Sequence, residues 1–198
     1  EALVREDPAV AKVGFMTRQS GQVQHGDQNW STGIQGVTPS YLDITGWKIA
    51  EGEALTEQQN DAADTVCLIG HTVFQNLFST GEDPVGALIL VKGVPMRVIG
   101  LLGSRGQTGF GQDQDDIVMI PYQTAQRKVL GVAAPSSAQN PISALYPTAT
   151  SPFGLAPRMT NFVNSIYVQA VAGDQVQPAI DQIRATLSNR HNIQPGAP

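Results

Sequence analysis

The chain has 198 residues, 41% of them hydrophobic, with 20 glycines. A chain of this length buries roughly 70% of its unfolded surface, so one or two packed domains need no covalent staples. Charged residues are 15%, against about 25% in ordinary globular domains, and Gln, Ser and Thr fill the polar positions instead. Twelve basic against seventeen acidic residues give a net charge of -5, which leaves no basic stripe and excludes nucleic acid and anionic membrane surfaces as main partners. The single cysteine, Cys67, excludes an internal disulfide and reads as a small buried hydrophobe within Thr65 to Ile69. No run approaches the roughly 20 apolar residues of a membrane helix. The start at Glu1 is neither a signal peptide nor an initiator methionine, and the chain is expected to be a piece of a longer protein.

Glu1 to Asp7 is expected to be the frayed end of a helix that Pro8 stops. A strand over Val10 to Met16 follows. The polar stretch Arg18 to Ser31, with turn candidates at Gly21 and Gly26, is expected to connect it to a second strand near Thr32 to Val37. Thr38 caps a short helix with Pro39 at its first position, and Gly46 ends it. Gly52 to Asp64 is polar, acidic and aperiodic, which predicts a subdomain boundary. Thr65 to Ile69 then reads as a buried strand, Gly70 as a turn, and His71 to Phe78 as a helix with apolar residues at helical spacing. Val85 to Val91 and Met96 to Leu102 flank the turn Lys92 to Pro95 as a hairpin. Ile117 to Ile120 is a further strand, and Pro121 opens a helix through about Leu130, stopped at Gly131. Gly131 to Thr160 carries five prolines and no charge but Arg158, which predicts a long surface loop. Asn164 to Val171 returns as a strand, and Asp174 caps a last helix with Val176, Ile180, Ile183 and Leu187 as one apolar stripe.

Few constellations point to catalysis. The Gly-rich stretch Gly103 to Gly111 follows a strand, but Asp113, Asp115 and Asp116 stand where a phosphate would need a helix N-terminus, so they would repel it. Those aspartates lack the interleaved pattern and terminal Glu of a calcium loop and read as a solvated acidic turn. His25, His71 and His191 share no ligand spacing. The nearest thing to a nucleophile elbow, Leu68-Ile69-Gly70-His71, contains no serine, and Cys67 lies in an apolar run that suppresses its thiolate. No catalytic, cofactor or metal residue is assigned. A free hydrolase would need a nucleophile and base assembled from distant residues.

Several segments taken in order resemble the extracytoplasmic core domain of MacB-type ABC transporter permeases, of the FtsX-like permease class. They are Gly36-Val37-Thr38-Pro39-Ser40-Tyr41-Leu42, Gly46 to Gly52, Val66 to Gly70 running to Leu77-Phe78, and Asp83-Pro84-Val85-Gly86 through Arg97 to Gly100. Asp115 to Tyr122, Asn164 to Val168 and the final helix to Arg190-His191 continue the pattern. The resemblance implies an α+β fold of two subdomains: a porter-like one from both chain ends, residues 1–52 and 161–198, and an inserted strand-rich sabre-like one, residues 53–132. A Pro-rich loop, 133–160, departs from the family pattern.

The same resemblance implies a non-catalytic, periplasmic part of a cytoplasmic-membrane protein that couples cytoplasmic ATP hydrolysis to efflux through conformational change. The implied partners are a second permease copy, an ATP-binding domain or subunit reached through the membrane helices and, in tripartite pumps, a periplasmic adaptor and a TolC-like outer-membrane channel. Loops on rigid scaffolds are the usual recognition sites. That places the expected partner contact on Ser104 to Asp113, with Gln107, Phe110, Gln112 and Asp113, and on 131–160. The alternative is a ligand-binding or sensory ectodomain that captures a small molecule, peptide or lipid in a cleft lined by Trp30, Trp47 and Tyr41.

Overall fold

A computed structural model describes residues 7–78, 81–109, 111–129, 132–133, 158–159 and 163–191. The expected helix end at Glu1 to Asp7 falls outside them except for Asp7. Strand β1 (Val10–His25) and strand β2 (Gln28–Val37) form a long antiparallel hairpin. Its two-residue turn is Gly26-Asp27, with Gly26 at φ 54°, the positive angle that a tight hairpin needs at this position. The expected loop over Arg18 to Ser31 is therefore mostly strand. Pairing runs from Met16 opposite Val37 to His25 opposite Gln28. The stretch read as loop because Arg18, Gln19, Ser20, Gln22 and Gln24 are exposed and only Val23 among them is buried.

Helix α1 (Pro39–Thr45) begins at Pro39 and ends at Gly46 in the left-handed conformation, φ 66°. Thr38 occupies the cap position without capping; its Oγ1 accepts instead from the Phe15 backbone N–H at 3.0 Å, tying the helix start to β1. The stretch expected to be aperiodic holds the end of strand β3 (Ile49–Gly52) and helix α2 (Glu57–Asp61). Helix α2 is short but carries a reciprocal capping box between Thr56 and Gln59. Thr56→Ala removes half of that exchange and should cost about 1 kcal/mol in urea unfolding.

Strand β4 (Val66–Ile69) passes through Gly70 into helix α3 (His71–Leu77), as the sequence predicts. Strands β5 (Leu88–Val91) and β6 (Val94–Leu102) are joined by Lys92-Gly93 alone, at φ 48° and 82°. Two successive positive angles define a type I′ turn, so Val94 and Pro95 belong to the strand. Strand β7 (Ile117–Pro121) leads into α4 (Tyr122–Thr124), which continues as a π-helical turn over Ala125–Val129. The ends of the Pro-rich stretch are not irregular: β8 (Val132–Ala133) and β9 (Arg158–Met159) pair antiparallel. The remainder of that stretch lies outside the described residues. Strand β10 (Ser165–Ala170) is followed by a 3-10 turn, Gly173–Gln175, and helix α5 (Val176–His191).

Asp174 sits inside that 3-10 turn, and the cap position, Ala172, makes no side-chain cap bond. The apolar stripe of α5 is also rotated from expectation. Val176 and Ile180 are 48% and 42% exposed, whereas Ala179 is buried against Ala9 and Val10 with Ile183 beside it. The small Ala179 lets the helix sit close to β1, and spacing alone favoured the bulkier residues.

The main sheet runs β10-β1-β2-β7-β4-β6-β3. Strand β5 pairs with β6 and also with the distal end of β1, Val23 opposite Val91 and Gln24 opposite Leu90. The pairings β1-β2-β7-β4-β6-β5-β1 thereby close a circuit of six strands. Period-two alternation sends one set of side chains to each face. Val23, Ile34, Cys67, Ile69, Ile89, Val91, Met96, Val98, Val118 and Ile120 form one buried cluster, capped by Val73, Leu77 and Phe78 of and just after α3. Cys67 is fully buried there, and burial pushes its thiol pKa far up. Val37, Tyr41, Leu42, Leu55, Leu68, Ile117 and Met119 form the second cluster on the opposite face, beneath α1. The fold is α+β, as expected.

Candidate functional site

The loop after β6 was expected to be a Gly-rich tip, but a buried aspartate organises it. Asp115 is 5% exposed. Its carboxylate accepts from Ser104 Oγ, from the Arg105 N–H at 2.7 Å and from the Gly106 N–H at 3.0 Å. Burial alone would raise its pKa; the hydrogen bonds from Ser104, Arg105 and Gly106 outweigh that and hold it below the ordinary carboxylate range. Asp113 Oδ1 accepts from the Asp115 N–H at 2.8 Å and its Oδ2 from Thr72 Oγ1 at 2.6 Å. Asp116 accepts from Trp30 Nε1 at 2.8 Å. The acidic triplet is thus a set of internal acceptors, not the solvated turn its sequence suggests.

Beyond Asp115 the loop folds back on itself. Gln107 and Asp113 form a β-bridge. The Thr108 N–H donates to Gln112 O at 2.8 Å, and the Gln114 N–H to Gly106 O at 3.1 Å. Gln107 and Gln112 are exposed on this small ribbon. Asp113 is exposed too, although its carboxylate is engaged with Thr72 and the Asp115 N–H. Phe110 lies outside the described residues. Arg105 fastens the base of the loop to the end of α1: its guanidinium stacks over the Trp47 ring at 4.0 Å and donates to Thr45 O.

Between this loop and the β1–β2 hairpin lies an open cleft of about 680 Å³. The hairpin contributes Arg18, Gly33 and Gln35 as its floor; Tyr41, Trp47 and Tyr167 also line it, as do Arg105, which lies against Trp47, and Asp113 and Asp116. Tyr41 and Tyr167 meet edge to face at 4.9 Å. The Tyr41 hydroxyl pKa is raised by burial and then by Tyr167, with Arg105 and Arg18 acting against them. Two of the aromatic residues expected at a cleft, Tyr41 and Trp47, do line it. Trp30 packs instead against the cluster inside the strand circuit.

Sequence reasoning missed Ser104, Arg105 and Asp115 as the builders of the loop, and Gln35 in the cleft. The spacing Asp113-x-Asp115 is a local turn signal, but the partners of Asp115 lie nine to eleven residues back and carry no pattern. Among the described residues there is no group of His, Cys, Asp and Glu that could hold a metal ion, and no helix is long and apolar enough to cross a membrane.

The described residues form an α+β domain built on one main mixed sheet and a small two-stranded one. The family described as MacB-like periplasmic core domain matches residues 1–186, and the chain belongs to it. It is an extracytoplasmic domain of a MacB-like ABC transporter permease. The chain is 36% identical over its whole length to the macrolide export ATP-binding/permease protein MacB of Syntrophobacter fumaroxidans, spanning 31% of that protein. Over 65% of the chain it is 34% identical to the pyoverdine export ATP-binding/permease protein PvdT of Pseudomonas aeruginosa, of which it spans 19%. The chain therefore spans about a third or less of these relatives. Among solved structures, the fold matches the extracellular domain of the transporter YknZ from Gram-positive bacteria with a TM-score of 0.70 at 16% identity, covering 98% of this chain and 82% of that one. It matches the periplasmic region of MacB from Actinobacillus actinomycetemcomitans equally, at 20% identity, covering 96% and 72%.

Proposed function

We propose that the domain is a non-catalytic coupler: it transmits movement of flanking membrane helices, driven by ATP hydrolysis elsewhere in the transporter, to extracytoplasmic partners during export. The observation that carries this reading is the meeting of the two ends of the described chain. Thr186 Oγ1 of α5 donates to Asp7 Oδ1 at 3.0 Å, and the Ala9 N–H reaches Gln182 Oε1 at 3.3 Å. Displacement applied at both ends would enter the molecule at one place, through β1 and α5. The relatives named for macrolide and pyoverdine export support an export role; the cargo would be a small molecule moved by the whole transporter.

The porter-like part, residues 1–52 and 161–198, and the inserted sabre-like part, residues 53–132, are the proposed mechanical units. Within the described residues they share one sheet, through the pairs β2·β7, β3·β6 and β1·β5. We infer that motion passes between them through strands rather than by a free swivel near Gly52. Conformational work of this kind requires contacts that differ between states. The proposed partners are a second permease copy and, where the pump is tripartite, a periplasmic adaptor and a TolC-like channel. The proposed contact is the loop Ser104 to Asp113, with Gln107, Phe110, Gln112 and Asp113, together with 131–160.

Deleting Thr108 to Gly111 from the full-length transporter tests the contact. The ribbon tip is lost while Asp115 and its three donors stay in place. Export and adaptor binding should fall to a small fraction of wild type with the domain still folded. Unchanged export together with unchanged adaptor binding removes the ribbon from the interface.

A further inference from the structure

The cleft under the ribbon has features that mechanical coupling does not call for. Gln35 stands on its floor, is 7% exposed, and its side-chain oxygen has no hydrogen-bond partner among the described residues. A buried amide oxygen without a partner is costly, and native proteins keep few of them unless a ligand or water supplies the missing bond. Register places Gln35 directly opposite Arg18 on β1, so both side chains project from the same face of the hairpin. Their neighbour in the floor is Gly33. A Cβ there would lie 3.3 Å from the Arg18 guanidinium, so the glycine keeps the floor open.

Charge is arranged in the cleft without being neutralised. Arg18 and Arg105 line it together with Asp113 and Asp116. Among the described residues, none of these four makes an ion pair. Among the described residues, Asp113 and Asp116 accept from neutral donors alone, a threonine hydroxyl, a backbone N–H and an indole. Arg105 spends one nitrogen on Thr45 O and one face on Trp47, leaving N–H groups for an anion. Opposite charges held in one cleft but not on each other suit a guest that carries both signs. Tyr41, Tyr167 and Trp47 add an aromatic wall for its uncharged parts. The volume, about 680 Å³, is that of a small-molecule site.

We propose that this cleft binds a short zwitterionic peptide or a peptide-like small molecule. Its carboxylate lies on Arg18 and Arg105, its ammonium on Asp113 and Asp116, and a backbone or side-chain donor meets the Gln35 oxygen. This goes beyond the coupling role and stands independently of it. Guanidinium groups recognise a carboxylate through paired donors, which lysine at these positions would not reproduce. Because Arg105 and Asp113 also build the ribbon, an occupant would bind the partner-contact loop to the hairpin floor.

The probe is free triserine, titrated into the chain with calorimetric and amide-NMR readouts, against triserine acetylated at its amino end and amidated at its carboxyl end. The free peptide is expected to saturate with Kd below about 1 mM, and the capped one to bind at least about tenfold more weakly. Shifts should concentrate on the Gln35 side-chain amide and on Arg18 and Arg105. Gln35→Leu and Arg18→Gln should each weaken binding severalfold; if the leucine variant does not fold, Gln35→Met replaces it. The proposal is overturned by failure to saturate at about 10 mM, by equal binding of free and capped peptide, or by binding that neither substitution weakens. Loss of export on ribbon deletion bears on the coupling reading alone, so the two fail separately.

Discussion

Gly70→Ala is expected to abolish the folded domain or to destabilise it by at least about 3 kcal/mol, near the upper end for overpacking a buried site. Gly70 joins β4 to α3 and donates its N–H to Ile117 O at 2.8 Å, which draws its backbone against β7. A Cβ would fall 2.1 Å from Asp115 O and 3.2 Å from Ile117 O. Both obstacles are backbone, and neither can rotate away. The same shift would pull Asp115 from Ser104, Arg105 and Gly106, so the contact loop would loosen with the core. Gly109→Ala is the control: nothing lies within 4 Å of its Cβ position. Urea unfolding of the two variants should give midpoints far apart, with Gly109→Ala close to wild type.

Asp115→Ala is expected to cost about 3 kcal/mol, because three donors that meet a buried carboxylate lose their acceptor at once. The effect should be local as well as global, with amide exchange accelerating from Ser104 through Gln114. Its pH dependence has a definite sign. The folded-state pKa lies below the ordinary value because the Ser104, Arg105 and Gly106 bonds outweigh desolvation. Its contribution is therefore fully present above the unfolded carboxylate pKa of about 4 and is lost as pH falls through the folded value. Wild type should lose stability relative to Asp115→Asn as pH drops from about 5 toward 2. A difference between the two that stays constant over that range would show that the ionised carboxylate is not what holds the loop.

The parts of the fold legible in the sequence are those where local pattern and tertiary demand agree. Val66 to Ile69 is apolar throughout because both of its faces are buried, and Lys92-Gly93 announces its turn between two apolar strands. The distal half of the β1–β2 hairpin was not legible. Its ladder is closed by backbone pairing while most of its side chains face water or the cleft, so the polarity of Arg18 to Gln24 mimics a loop. Pairing of Val23 with Val91 brings together residues far apart in sequence, and no local rule reports it. The candidate site was half legible: glycines and glutamines marked an exposed loop, but its order comes from Asp115, whose three donors could be found only in space. In α5 the period was right and the phase was wrong, since close packing at Ala179 outweighed the larger side chains.

The closed circuit of six strands bears on how force would travel. An open sheet can yield by sliding one strand past its neighbour at a free border, whereas a hoop offers no such border. Slippage of any member must break ladders on both of its sides, and the two shortest joins, Val23 and Gln24 with Val91 and Leu90 and Leu68 and Ile69 with Met119 and Val118, are where a rupture would begin. Twist delivered through β1 would then turn the hoop as one piece, carrying the ribbon through an arc instead of being dissipated along the way.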